Sequence, residues 1–344
     1  TERLWTTFIQ ITSTNTMKKL ALLCSLWIII AGCSTQIDQA ATTTDTTQTQ
    51  SWIIATETWT QSYVQLTGIR YSNMTDAQSQ AEVKNALLKA DVSQTAVQAF
   101  FAMVDDFTKI VEWKGLNHGF TRAETLTPEY DSDFYQQQRN NIHQDFMGYN
   151  CRITAFSLLQ DAIKIKDAPE TEIPENLMFD MPGVRSIQSY TKEKDRKFVN
   201  FFAQIPTTAT ATQTENIQKV KDTLAKKGVE FLNTKASLIS VFFHDVIDPS
   251  TANLFIGHIG VLVPSENGEL LFIEKIAFDQ PYQAVKFKNK AELNGYLMGK
   301  YDVDYSGEGS RPFIFENWSL MADFQLNPAT TQQLKANLQS PASE

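Results

Sequence analysis

The chain has 344 residues, 42% of them hydrophobic and 20% charged. That apolar share is enough for a sizeable core and excludes a disordered chain, a collagen-like repeat and a disulfide-dense mini-domain. Thirty Lys and Arg face 39 Asp and Glu, a net charge of −9 with no basic stripe, so no nucleic-acid partner is expected.

Residues 1–16 carry no readable role and stand upstream of Met17-Lys18-Lys19, a basic start followed by the apolar run Leu20 to Ile30. The run is shorter than the roughly twenty residues a bilayer requires, so it reads as a signal segment rather than a span. It closes on Ile30-Ala31-Gly32-Cys33, which resembles the lipobox of bacterial lipoproteins. The resemblance implies removal of residues 1–32, a lipid on Cys33, a membrane as partner and a location outside the cytoplasm. Residues 34–50 hold seven Thr and four Gln, too little apolar surface to order themselves, so 33–70 reads as a lipidated tether. Of the three cysteines, Cys24 leaves with the signal and Cys33 is acylated. Cys151 is then the single free thiol.

Residues 71–344 read as one α+β domain. Its helical part, 71–145, opens at a capping box with Thr75 as N-cap and Gln78 three residues on. A second helix starts at Ser93 and stops near Gly115, and a third covers Phe134 to Ile142. Residues 146–166 form a helix whose first turn holds Cys151, with Ala155, Leu158, Leu159, Ala162 and Ile163 on one stripe. Residues 167–235 read as an insertion. It has a short strand at Met178-Phe179, helices over Lys192–Ala203 and Glu215–Lys227, and a Thr-rich loop after Pro206. From 236 to 320 the period changes to strands: Ala236–Asp245, Leu254–Val263, Glu269–Phe278, Gln283–Phe287 and Pro312–Phe315, with a helix at Lys290–Lys300. The first three strands are apolar on both faces, which predicts a sheet covered on both sides.

Chemistry concentrates on few residues. A cysteine in the first turn of a helix meets unpaired N–H groups and the positive end of the dipole, which favour the thiolate and can hold an oxyanion. Asn150 and Tyr149, just before it, are candidates for oxyanion or substrate contact. The alternative is a small buried packing residue. A base would be one of four histidines. His258, between Gly257 and Ile259-Gly260 in an apolar strand, is the first choice, although a core imidazole would look the same. His244, beside Asp245 at a strand end, competes, whereas His118 and His143 read as surface residues. Glu274, inside Leu270-Leu271-Phe272-Ile273-Glu274-Lys275-Ile276, is the candidate to orient the imidazole, since a carboxylate there needs a partner. Even with that partner, Glu274→Leu is expected to stabilise the sheet, since an apolar side chain suits the strand. A five-residue loop over 264–268 sets Val263 against Glu269 and places His258 directly opposite Glu274. A two-residue Asn267-Gly268 turn puts Glu274 on the other face. Pro264, which cannot donate to a ladder, favours the longer loop, and both registers stay open.

Metal signals are weak. Asp302-Val303-Asp304-Tyr305-Ser306-Gly307 begins like a calcium loop, but Phe313 stands where a bidentate Glu is needed, so no metal and no cofactor is expected.

The order Cys on a helix start, His in a strand, then a polar residue in the next strand resembles the papain-like cysteine hydrolases of the NlpC type. It does so at Asn150-Cys151, Gly257-His258-Ile259-Gly260-Val261 and Glu274. That resemblance implies an antiparallel sheet packed on the Cys-bearing helix and cleavage of an amide or peptide bond, with a cell-wall peptide as partner. It also implies Cys151 as nucleophile, His258 as base and Glu274 as orienting group. The family's Asp-Cys-Ser run is replaced by Asn150-Cys151-Arg152, and its third group is usually His, Asn or Gln. The alternative is a non-catalytic lipoprotein that uses the same scaffold for binding. Four further segments, Gly148–Thr154, Ala236–Phe242, Gly257–Pro264 and Pro281–Ala284, resemble the bacterial lipoprotein family known as domain of unknown function 4300, which implies no activity.

Overall fold

A computed structural model describes residues 62–143, 146–170, 172–187, 190–232 and 235–339, all within one compact unit spanning 46–344. The signal segment, Cys33 and most of the tether lie outside the described residues. Among the described residues, no helix is long and apolar enough to cross a membrane.

The first element is a strand, β1 (Ile69–Ser72), followed by α1 (Ala77–Lys89). The N-cap of α1 is Asp76 rather than Thr75: its carboxylate accepts from the amides of Gln78 and Ser79, while the Thr75 hydroxyl donates to the Asn117 carbonyl, 2.9 Å away. A charged acceptor at a helix start outcompetes a hydroxyl one residue earlier. Ser93 caps α2 (Gln94–Ile110). A short strand, β2 (Thr121–Ala123), and α3 (Ser132–Ile142) follow.

The cysteine helix, α4 (Cys151–Leu159), is buried at every residue except Arg152. It packs mainly on the strand that carries His258, and on α2. A helix buried all round has no stripe to read, and the apparent stripe ran on past its end. Ile163 instead begins β3 (Ile163–Ile165), because the alternating Ile-Lys-Ile suits a strand. Met178 and Phe179 form no strand. They are exposed in a turn between a single 3-10 turn at Glu175–Leu177 and α5 (Met181–Ser186). Next come α6 (Lys192–Phe202) and the two-residue β4 (Ile205–Pro206). Then follow α7 (Gln213–Lys226), capped by a Thr212–Glu215 box, and β5 (Val229–Phe231), which pairs with β3.

The large sheet is built from β6 (Ser237–Asp245), β7 (Asn253–Pro264), β8 (Leu270–Lys275) and β9 (Tyr282–Phe287). After β9 come α8 (Lys290–Tyr301), β10 (Phe313–Glu316), β11 (Ser319–Leu320) and a last helix, α9 (Pro328–Gln339), which the sequence did not announce. The strand order is β11-β10-β6-β7-β8-β9-β1-β2, with β4 added on β7 and every pair antiparallel. The fold is therefore α+β. The sheet includes β1, which begins inside the segment expected to be tether, because Ile69 is buried there, and β2 from the segment expected to be helical.

Two details of β7 position the site. The hairpin to β8 has a five-residue loop, but it spans 265–269, with Pro264 opposite Leu270 and Val261 opposite Ile273. The turn is closed by a Ser265 N–H to Glu269 carbonyl bond of 2.7 Å, with Asn267 and Gly268 both at positive φ. Pro264 ends the strand, exposed, where its missing donor is not needed. Extending this register sets Gly260 across from Glu274, and His258 lies diagonally on the same face. The direct opposition expected from a 264–268 loop is thus corrected by one residue on each strand, which keeps the face. The second detail is a bulge: Val241 pairs with His258 but Phe242 pairs with Ile256, so Gly257 is the extra residue.

Both faces of the sheet are covered, as expected. Tyr296 of α8 stacks near Phe272 and Phe287 on the Glu274 face. Phe100 and Phe107 of α2 meet Tyr282 edge-on, on the other.

Candidate active site

Asn150, the N-cap of α4, accepts from the Ile153 amide at 3.0 Å and donates its side-chain amide to Asp180 at 2.6 Å. Both ends of that side chain are thereby committed, which fixes the first turn and leaves oxyanion contact to backbone N–H groups. Tyr149 is half-buried, its hydroxyl 3.2 Å from Ser186 Oγ. Arg152 presents Nε and Nη2 to the two Asp180 oxygens at 2.9 and 2.7 Å and reaches the Ile256 carbonyl at 3.3 Å. The helix carrying the cysteine is thus tied to the strand residue just before the bulge at Gly257.

Cys151 and His258 are brought together. The thiol and the imidazole are close enough for each to shift the other's titration, and both residues are buried, at 7% and 2% exposure. His258 Nε2 bonds Glu274 Oε2 on the neighbouring strand, which leaves Nδ1 as the ring nitrogen for the thiol. Tyr301 stacks on the imidazole with ring centres 5.1 Å apart and 28° between planes. The three sequence-derived residues, one on a helix and two on adjacent strands, meet in one cluster.

Glu274 is held on three sides. It accepts from His258, from Gln283 Nε2 at 2.6 Å and from the Tyr296 hydroxyl. Lys300 donates to that same hydroxyl at 2.9 Å. Gln283 sits across the β8–β9 ladder from Glu274, while Tyr296 and Lys300 are four residues apart on α8. None of these three was legible as a site residue. The only hint was two polar side chains at helical spacing among apolar neighbours.

The electrostatics follow from this wiring. Burial opposes the charged form of Glu274, but Lys300, His258 and the Tyr296 hydroxyl outweigh it and hold the carboxyl down at about 2. Burial likewise pushes His258 down, yet the Glu274 charge and the thiol lift it to about 9. Burial raises Cys151, and the hydrogen bond and charge of His258, helped by Arg152, bring it below its ordinary value. The shifts favour the charged forms of Cys151, His258 and Glu274, while burial works against the charge of Lys300, which Glu274 supports.

The other candidates lie elsewhere. His244 Nδ1 accepts from the Ser310 amide at 2.8 Å and faces the Asn216 side chain at 3.2 Å, tying α7 to the segment before β10. His118 bonds Thr75, and His143 caps α3. Asp302, the first acid of the calcium-like loop, is spent on Arg311. Among the described residues no three His, Cys, Asp or Glu gather where they could hold a metal ion.

The family described as "Domain of unknown function (DUF4300)" matches residues 70–321, which runs from within β1 to the residue just after β11 and includes every residue of this cluster. The chain belongs to the DUF4300 family. No curated relative and no solved structure matches it. DUF4300 membership therefore names the region that carries the cluster but brings no chemistry with it, and the reaction has to be argued from the side chains.

Proposed function

We propose that this chain is a papain-like thiol hydrolase of the bacterial cell envelope, anchored through a lipid on Cys33, that cleaves an amide or peptide bond. The observation that carries the reading is the Cys151–His258–Glu274 cluster at the first turn of a buried helix. A packing cysteine needs no imidazole, and a core imidazole needs no ionised carboxylate. In the reaction, the thiolate adds to the amide carbonyl carbon. The amide hydrogens at the start of α4 stabilise the oxyanion. The imidazolium gives its proton to the leaving amine as the carbon–nitrogen bond breaks. Water, deprotonated by the now neutral His258, then releases the acyl group. Glu274 keeps the ring oriented and stabilises its charged form. A cell-wall peptide is the substrate class we favour, because the anchor would hold the domain beside it.

A second reading, a binding protein that retains the same scaffold, is favoured by the 7% exposure of Cys151. Alkylation of Cys151 by iodoacetamide across pH separates the two. A hydrolase shows reaction in the folded protein with a midpoint well below about 8.5, the free thiol value. Protection until unfolding sinks the hydrolase. For the anchor, Cys33→Ser should abolish lipid labelling and release the protein from membranes. Retained membrane association refutes it.

A further inference from the structure

We infer that Arg139 is the receptor for a carboxylate group on the molecule that Cys151 attacks. The inference deepens the hydrolase reading and rests on it. Among the described residues, three arginines have a largely buried guanidinium. Two of them show how the fold uses such a group. Arg152 gives Nε and Nη2 to Asp180, and Arg311 gives Nε and Nη2 to Asp302 at 2.9 and 2.5 Å, each a side-on fork on one carboxylate. Arg139 is the third, 6% exposed. Its Nη1 donates to the Phe278 carbonyl at 2.6 Å, but its Nε is buried with no hydrogen-bond partner, and it is in no ion pair among the described residues. The fork edge that the other two arginines spend on an aspartate is not spent on protein here. Asp279 lies within electrostatic reach only.

A second buried basic side chain sits in the same cluster. Lys275, 1% exposed, donates to the carbonyls of Ala277, Phe278 and Gln280, so it shares Phe278 with Arg139 and likewise has no ion pair among the described residues. Burial and the neighbouring Arg139 charge push the Lys275 ammonium well below its ordinary range, and an anion bound between the two side chains would relieve both effects. The cluster borders the nucleophile. Gly148, three residues before Cys151, has φ +91°, and a Cβ there would lie 3.0 Å from Arg139 Nη1 and 3.6 Å from the Phe278 carbonyl. Only glycine lets the guanidinium approach the segment that leads into α4. Lys275 and Cys151 feel each other's charge. A planar fork beside a second donor-bearing basic side chain fits a carboxylate.

The test uses two reagents that undergo the same displacement of iodide by sulfur, iodoacetate with a carboxylate and iodoacetamide without one. Arg139→Gln should lower the iodoacetate-to-iodoacetamide rate ratio at Cys151 by roughly tenfold. Arg139→Lys, which keeps the charge but loses the fork, should fall between. An unchanged ratio in Arg139→Gln, or an equal loss of both rates in folded protein, overturns the proposal and leaves the hydrolase reading standing. Wild-type Cys151 inert to both reagents overturns both. Should the variants fail to fold, wild-type protection decides. N-acetylglycine should slow iodoacetamide where N-acetylglycinamide does not, and equal effects overturn the assignment.

Discussion

Glu274 receives three side-chain donors inside an apolar strand, and that reverses an expectation drawn from its sequence neighbours. Glu274→Leu strands His258, Gln283 and Tyr296 together with the Lys300 charge. It should destabilise the protein by about 3–5 kcal/mol rather than stabilise it, as measured by denaturant unfolding. Glu274→Gln removes the charge that lifts His258. The Cys151 alkylation midpoint should then move up, with a fall of at least about tenfold in rate near neutral pH. An unmoved midpoint would remove Glu274 from the mechanism. The pair also sets a pH window. His258 is raised in the fold, so its contribution is complete below its unfolded value near 6.5 and is lost as pH rises through about 9. Glu274 is lowered, so its contribution is complete above about 4.5 and is lost as pH falls through about 2. The stability advantage of wild type over Glu274→Gln should therefore be flat between these unfolded values and shrink towards pH 9. At this scale the sequence showed Cys151, His258 and Glu274 because each is out of place in its local pattern. Lys300, Tyr296 and Gln283 matter only through packing that no local pattern reports.

Among the elements, β7 carries the most information per residue. Its bulge turns on Gly257, where a Cβ would lie 2.4 Å from the Phe243 ring. Its crossing of Glu274 turns on Gly260, where a Cβ would lie 2.4 Å from the Phe272 ring and 2.8 Å from the Ile273 carbonyl. Gly260→Ala should cost about 1–3 kcal/mol in unfolding experiments, because the obstacle includes backbone. Gly257→Ala should tilt His258 away from the thiol and slow alkylation more than it lowers stability. The glycines flanking His258 were visible, but which of them makes the bulge was not, since that depends on β6. The hairpin loop was readable in length and off by one residue in position, because Pro264 can end a strand as well as begin a loop. The cysteine helix was readable in placing Cys151 in its first turn, and not in its bounds, which are Cys151–Leu159 rather than 146–166. Arg152 and Asp180 join that helix to β7 by way of Ile256. Asp180→Asn should therefore disturb the Cys151–His258 contact, read as slower alkylation in a folded protein.

For the molecule as a whole, the four-stranded meander from 237 to 287 could be read from the period of its residues, whereas the strands that extend it could not. Three- and four-residue strands such as β1 and β2 carry too little pattern to stand out from the helices around them. The arrangement they complete has a kinetic consequence. β1 sits near the start of the described chain, yet Arg70 lies opposite Lys286 and Tyr71 opposite Val285, more than 200 residues away. At the opposite edge, β6 waits for Phe313 and Phe315. The sheet has a high contact order, and β1 can pair with β2 early but joins the sheet at β9 only after most of the chain has been made. Refolding should be slow, on the millisecond-to-second scale or beyond, and limited by closure of that long loop. A chain ending before residue 282 would leave Ile69 and Tyr71 uncovered and prone to aggregate. A polypeptide with this wiring stays open until late in synthesis, which is the state in which a chain can still be threaded across a membrane.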